Sequence, residues 1–423
     1  MKTSKFKMTE LGPIPEDWEV KRLGDVVETS SGGTPSRARP DFFQGTIKWF
    51  TTTELLDNKL YDSLEHISHE ALKNSSAKIF PPKTLLMAMY GATIGRLGIL
   101  QNHASTNQAC CAIFCGDTLF SDYAYYYLYH LRQNIIERGC GAGQPNISQE
   151  IVRSLPVVLP PLPEQRKIAE ALSDIDELIS ALRKLIEKKR NIKTGTMQEL
   201  LGMRNEECGM RNVPRRRLPG FSGEWIEKRL GECGSFSKGA GISRAQANSG
   251  RIPAVRYGEL YTTHHEYIKA FESFISDDVA RCSTRLTRGD IVFACSGETK
   301  EEIGKCAAFL GDEIAYAGGD LLILSPKEAY DSKFLAFELN TPFCASQKAA
   351  AGQGDAVVHI RQHSLEELIV CIPPTLAEQK AIAAVLSDID AEIAALEAKR
   401  AKYESIKQGM MQELLTGRTR LEA

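Results

Sequence analysis

Long hydrophobic runs are missing from the 423 residues of this chain. The longest, such as Leu85-Leu86-Met87-Ala88-Met89, fall far short of the roughly 20 apolar residues that a bilayer-crossing helix needs. No membrane segment is expected. The residues after Met1-Lys2-Thr3-Ser4-Lys5 lack the apolar core of a secretory signal, which makes the cytoplasm the expected location. An excess of charge is also lacking: 52 Lys and Arg stand against 54 Asp and Glu, a formal net charge of −2. Any surface for nucleic acid must therefore be local. The eleven cysteines form no CxxC pair and no Cys/His cluster at zinc spacing. Scattered through stretches such as Ala109-Cys110-Cys111-Ala112-Ile113-Phe114-Cys115, they read as reduced core residues. His359 and His363 stand at helical spacing without a third ligand, so no metal site is expected.

Catalytic signatures are lacking as well. The run from Gly297 to Lys305 superficially resembles a phosphate loop, but its glycine spacing is wrong and Cys306 stands where a magnesium-holding hydroxyl belongs. No glycine-rich fingerprint joins an Asn/Asp-Pro-Pro-aromatic tetrad, no acidic pair with lysine marks a nuclease, and no nucleophile stands with a base. No cofactor is expected on this chain, and catalysis is expected from a partner.

What is present is repetition, the first thing to seek in a chain long enough for two or three domains. A shift of 214 carries Glu164-Gln165 onto Glu378-Gln379, Leu172-Ser173-Asp174-Ile175-Asp176 onto Leu386-Ser387-Asp388-Ile389-Asp390, and Met197-Gln198-Glu199-Leu200-Leu201 onto Met411-Gln412-Glu413-Leu414-Leu415. About 21 of the 38 aligned positions are identical. A weaker echo precedes each segment, where Trp18-Glu19-Val20-Lys21-Arg22-Leu23-Gly24 resembles Trp225-Ile226-Glu227-Lys228-Arg229-Leu230-Gly231.

The shared segments read as helices. Ile168, Leu172, Ile175, Ile179, Leu182 and Ile186 alternate steps of four and three, the seam of a coiled coil, and Ile382, Leu386, Ile389, Ile393 and Leu396 repeat it. Each follows a proline turn suited to a helix entry, with an acidic residue near the positive helix end. A run of about 38 residues would extend about 57 Å at 1.5 Å per residue, more than a compact domain requires. Pairing the two antiparallel would bury both seams and relate two globular units by an approximate two-fold axis.

The segments between are expected to be mixed α/β. Strands are expected at Ile47-Lys48-Trp49-Phe50, Thr84 to Met89, Ala109 to Phe114, Val157-Val158-Leu159, Ile291 to Ala294 and Leu321 to Leu324, and a helix packed into the core at Tyr123 to Tyr129. Three polar, glycine-bearing loops recur in each half, and they are where DNA contacts are sought. In the first half they offer Thr34, Ser36 and Arg37, then Thr93 and Arg96, then Gln144 and Asn146; in the second, Ser243 and Arg244, then Thr299, Lys300 and Lys305, then Gln353. An ordinary surface turn remains the alternative for each. The basic run Arg215-Arg216-Arg217, between Pro214 and Pro219, reads as a solvated connector or a phosphate contact.

The opening Gly12-Pro13-Ile14-Pro15-Glu16-Asp17-Trp18, the turns Pro160-Pro161-Leu162-Pro163-Glu164-Gln165 and Pro373-Pro374-Thr375-Leu376-Ala377-Glu378-Gln379, and the paired helix blocks carry a resemblance over nearly the whole chain. The chain resembles a specificity subunit of a type I restriction-modification system. The resemblance implies a target-recognition domain at 1–160, a conserved spacer helix at 161–205, a linker at 206–213, a second target-recognition domain at 214–372 and a second spacer helix at 373–419. Each domain would read one half of a split, asymmetric site in double-stranded DNA. The helices would set the gap and dock two modification subunits around Asp174, Asp176, Met197, Glu199 and Leu200 and their equivalents Asp388, Asp390, Met411, Glu413 and Leu414. S-adenosylmethionine would belong to the modification subunits, and ATP and Mg to restriction subunits. Two other readings stay open: a self-contained DNA methyltransferase or nuclease with fused recognition domains, and a coiled-coil scaffold for protein partners.

Overall fold

A computed structural model describes residues 5–138, 146–201, 214–354 and 357–421. The expected linker 206–213 and Gln144 lie outside the described residues. The chain divides into two compact units, one of residues 1–183 with 398–423 and one of residues 184–397. The division cuts across both long helices, so each unit owns a globular part and a piece of each helix.

In the first unit a five-stranded sheet runs in the order Val27–Ser31, Cys110–Cys115, Leu85–Ala88, Leu97–Leu100, Asn58–Leu60. A three-stranded sheet places Ile47–Phe50 between Ser105–Thr106, parallel to it, and Glu65–Ile67, antiparallel. A ladder pairs Glu19–Arg22 with Pro156–Leu159. The expected strands are thus present with ends moved by one residue: Leu85–Ala88 within Thr84 to Met89, Cys110–Cys115 for Ala109 to Phe114, and Pro156–Leu159 for Val157 to Leu159. Their apolar runs are continuous because both faces are covered, and successive side chains point to opposite faces. Leu85, Met87, Cys111 and Ile113 enter one core, while Leu86, Ala88, Cys110 and Ala112 enter another. The helix Ser121–His130 brings Tyr123, Tyr125, Tyr126 and Tyr127 into the first of these cores.

The second unit repeats this plan. Gly234–Lys238, Leu321–Pro326, Ile291–Ala294 and Cys306–Ala308 make one four-stranded sheet, Thr284–Leu286 extends the other to four strands, and Ile226–Arg229 pairs with Ile369–Ile372. Ile252–Val255 lies between Ala315–Ala317, again parallel, and Ser273–Ile275, again antiparallel. The same two-sided alternation sends Ile291 and Phe293 to one core and Val292 and Ala294 to another. Even a helix cap recurs. Ser68 Oγ accepts the Ala71 N–H, and Ser276 Oγ accepts the Val279 N–H, each worth about 1 kcal/mol.

The long helices are Leu162–Leu200 and Leu376–Leu414, 39 residues each and about 58 Å long. Of the expected seams, Ile168, Leu172, Ile179, Leu182, Ile186, Ile382, Leu386 and Ile393 are buried, whereas Ile175, Ile389 and Leu396 are half-buried. In the first unit, Met411, Leu414 and Leu415 pack with Trp18, Ile168 and Leu172. In the second, Leu200 and Leu201 pack with Trp225, Ile382 and Leu386. Among the described residues no helix is long and apolar enough to cross a membrane.

Candidate nucleic-acid interface

Each globular part is fastened to its helices by one clamp, built twice. Trp18 Nε1 donates to Glu164 Oε2 at 3.0 Å, and Arg420 holds both oxygens of Glu164 at 2.7 Å. In the second unit Trp225 Nε1 donates to Glu378 at 3.3 Å and Arg217 grips the same carboxylate at 2.8 and 2.7 Å. The neighbouring glutamines finish the joint: Gln165 accepts the Phe120 N–H and Gln379 the Asp331 N–H, both at 2.8 Å. Arg217 is therefore a structural ion-pair partner rather than the solvated connector or phosphate contact of the sequence reading.

A second pair of contacts ties helix to helix within each unit. Lys407 meets Asp176 at 2.7 Å, and the Tyr126 hydroxyl donates to the other Asp176 oxygen at 2.9 Å. Lys193 meets Asp390 at 2.9 Å and Glu266 at 2.7 Å. The shift of 214 maps Lys193 onto Lys407 and Asp176 onto Asp390, so these are two copies of one ion pair. Burial alone would lower the Lys193 pKa, but Glu266 and Asp390 outweigh it and raise it. Arg183 with Glu404 in the first unit, and Arg190 with Glu397 and Lys189 with Glu392 in the second, continue the series.

These contacts revise the expected partner surface. Leu200, Met411 and Leu414 are buried in the chain's own cores, and Asp390, 7 % exposed, is taken by Lys193. Asp176 is committed to Lys407 and Tyr126, and Met197 packs half-buried in the second unit. Asp174, Glu199, Asp388 and Glu413 are exposed, two repeat-related pairs.

Of the expected DNA loops, the second and third come together in both units. Tyr90 forms a bridge with Asn146 in the first, and Ser296–Gly297 pairs with Val358–His359 in the second, where Gln353 also bridges His359. Thr93 turns its hydroxyl to the Tyr90 carbonyl, and the Arg96 side chain has no partner among the described residues. Thr299 and Lys300 are exposed, but Lys305 lines a recess of about 290 Å³ together with Glu266, Glu301, Glu302 and Lys348. His359 hydrogen-bonds Ser296 on a strand and His363 is exposed on a separate helix, so they share no face. No group of three or more metal-ligating side chains occurs among the described residues.

The first loop sits elsewhere, over the carboxyl end of the parallel strand pair. The Gly33 N–H bonds the Thr106 carbonyl, and a Cβ at Gly32 would meet that oxygen at 2.0 Å. Gly239 is equally confined, since an added Cβ would meet the Gly318 oxygen at 2.0 Å, and Gly319 donates to the Gly241 carbonyl. Ile242 follows at φ 60°, buried; a β-branched residue there stores strain of order 1–3 kcal/mol. It anchors exposed Ser243 and Arg244. Ser36 is exposed, and Thr34 bonds Gln108. Arg37 is not free: it grips both Glu65 oxygens and stacks 4.0 Å from the Phe43 ring centroid. Arg256, next after Ile252–Val255, and Gln108, two residues after Ser105–Thr106, stand beside these loops and were not among the expected DNA contacts. The one available signal was a polar residue shortly after a short apolar run.

A family model for the type I restriction modification DNA specificity domain matches residues 15–190 and again 222–407. The chain is similar to the putative type I restriction enzyme MjaX specificity subunit of Methanocaldococcus jannaschii, 27 % identical over 100 % of this chain and 98 % of that one. It is 29 % identical to the MjaIX specificity subunit of the same organism over 61 % of each chain. Among solved structures, its fold is similar to that of the type I restriction-modification S subunit from M. genitalium, with a TM-score of 0.61, 15 % identity, and coverage of 97 % of this chain and 98 % of that one.

Proposed function

The chain belongs to the family of type I restriction-modification DNA specificity proteins, and on that premise we propose that it reads a two-part, asymmetric DNA site with one unit per half and performs no bond chemistry itself. The observation that carries this reading is one fold and one clamp built twice beneath loops of different chemistry. A common scaffold with unlike loops recognises unlike half-sites, because phosphate contacts position a protein while base-edge contacts choose sequence.

The paired helices act as an antiparallel coiled-coil spacer. Within each unit, ion-pair partners support this register, since their numbers fall along one helix as they rise along the other. Asp174, Glu199, Asp388 and Glu413 are the exposed positions offered to two modification subunits. Those subunits would carry S-adenosylmethionine and receive the adenine flipped from the duplex, and restriction subunits would bring ATP and Mg. The complex works on cytoplasmic DNA.

Inserting one helical turn within residues 187–192 tests the spacer. In cells carrying the chain and its modification subunit, the mapped methylation motif should keep both half-sites and change the gap between them. An unchanged gap rejects the ruler.

A further inference from the structure

We propose that the seat at the carboxyl end of each parallel strand pair reads a base directly, with Arg256 addressing a guanine in the half-site of the second unit and Gln108 an adenine in that of the first. The inference rests on the assignment of one half-site to each unit.

The two seats share a backbone. Asn107 donates to the Phe50 carbonyl and Gly318 to the Val255 carbonyl, so Thr51 and Arg256 occupy the same place after their strands. In open α/β sheets the carboxyl ends of parallel strands are where ligands gather. Here the first glycine loop closes over that end in both units, pressed so near that neither Gly32 nor Gly239 tolerates a side chain. The strained, buried Ile242 fixes the edge of the second seat.

The seats differ in what they present. In the second, the half-exposed Arg256 has no side-chain partner among the described residues, and its stem lies over Gly318, where an added Cβ would meet Cγ at 3.8 Å. Tyr257 beside it is 37 % exposed. A free guanidinium over a bare backbone floor has the planar two-pronged donor geometry that matches guanine O6 and N7. Arg37 of the first unit has no such freedom, being held by Glu65. There the exposed Gln108 takes over. Its Oε1 accepts from the Thr34 hydroxyl, which orients the amide, and its NH2 group is unpaired among the described residues. The remaining acceptor capacity and the free NH2 are the pair that bonds adenine N6 and N7.

The test uses the full chain with its modification subunit in cells without other adenine methylation, and maps every methylated site. Arg256→Ala should relax one G·C position in one half-site, with discrimination there falling by about tenfold or more, and leave the other half unchanged. Gln108→Ala should relax one A·T position in the opposite half. Arg256→Lys keeps the charge without the fork and should relax the same position partly. Weakened methylation at all sites with an unaltered motif, or relaxation of both variants in one half, would overturn the seat as a base reader. A wild type that methylates no two-part site would overturn the underlying assignment, and the seat with it.

Discussion

The two units solve one folding problem with different side chains, and the places where they differ show which contacts the architecture demands. Both keep a tryptophan, a glutamate and an arginine at the joint with the helices. Arg420 adds Asp17, whose carboxyl it holds below the usual range, whereas Arg217 adds the Ser222 and Gly223 carbonyls. At equal offsets in the core helices Ser121–His130 and Ser332–Leu339, the first unit has Tyr127 and the second Glu338. The joint is obligatory, and the core is negotiable.

The largest effect should come from the joint. Arg217→Ala or Arg420→Ala leaves a buried carboxylate without its cation, which costs about 3–5 kcal/mol. Denaturant unfolding followed by tryptophan fluorescence should show this for both variants, and a loss below about 1 kcal/mol in either would break the equivalence of the two clamps. Next comes the unlike pair in the core. Burial pushes Glu338 up to about 8 against the Cys371 N–H it accepts, with Cys344 and Lys348 nearby. A raised folded-state pKa means the native protein holds a proton that the unfolded chain loses, so this stability is full below about 4.5 and drains away as pH rises toward 8. Glu338→Gln should therefore flatten that decline and stabilise the protein by a few kcal/mol at pH 8. Equal pH slopes for wild type and variant would discount the buried carboxyl. The smallest effect should separate the repeated lysines. Lys193→Met takes the cation from two carboxylates, Glu266 and Asp390, of which Asp390 keeps Tyr267, and should cost about 2–3 kcal/mol, whereas Lys407→Met takes it from Asp176 alone, which keeps Tyr126 and partial exposure, and should cost about 1. Equal losses would erase the asymmetry between the units.

Much of the architecture was legible because periodicity and repetition report burial. The seams at Ile168 and Ile382, the strand at Ile47–Phe50 and the tyrosine-rich helix all follow from apolar spacing. What the shared blocks do was less legible. Leu200, Met411 and Leu414 carry the strongest repeat signal, and they repeat because each unit needs the same core plug. Conserved spacing within one chain does not distinguish an inward contact from an outward one. The seats were harder still: Arg256 and Gln108 gain meaning only when residues distant in sequence, Gly318 and Thr34, are folded against them. Arg37 shows the converse, a plausible DNA contact whose charge is spent on Glu65, a partner 28 residues away.

The packing of Met411, Leu414 and Leu415 around Trp18 sets a timetable for the growing polypeptide. The unit translated first is completed last, since its core waits for residues 411–415 to leave the ribosome, while residues 184–397 can close beforehand. A released chain truncated near residue 400 would thus display a closed second unit and an open, aggregation-prone first one.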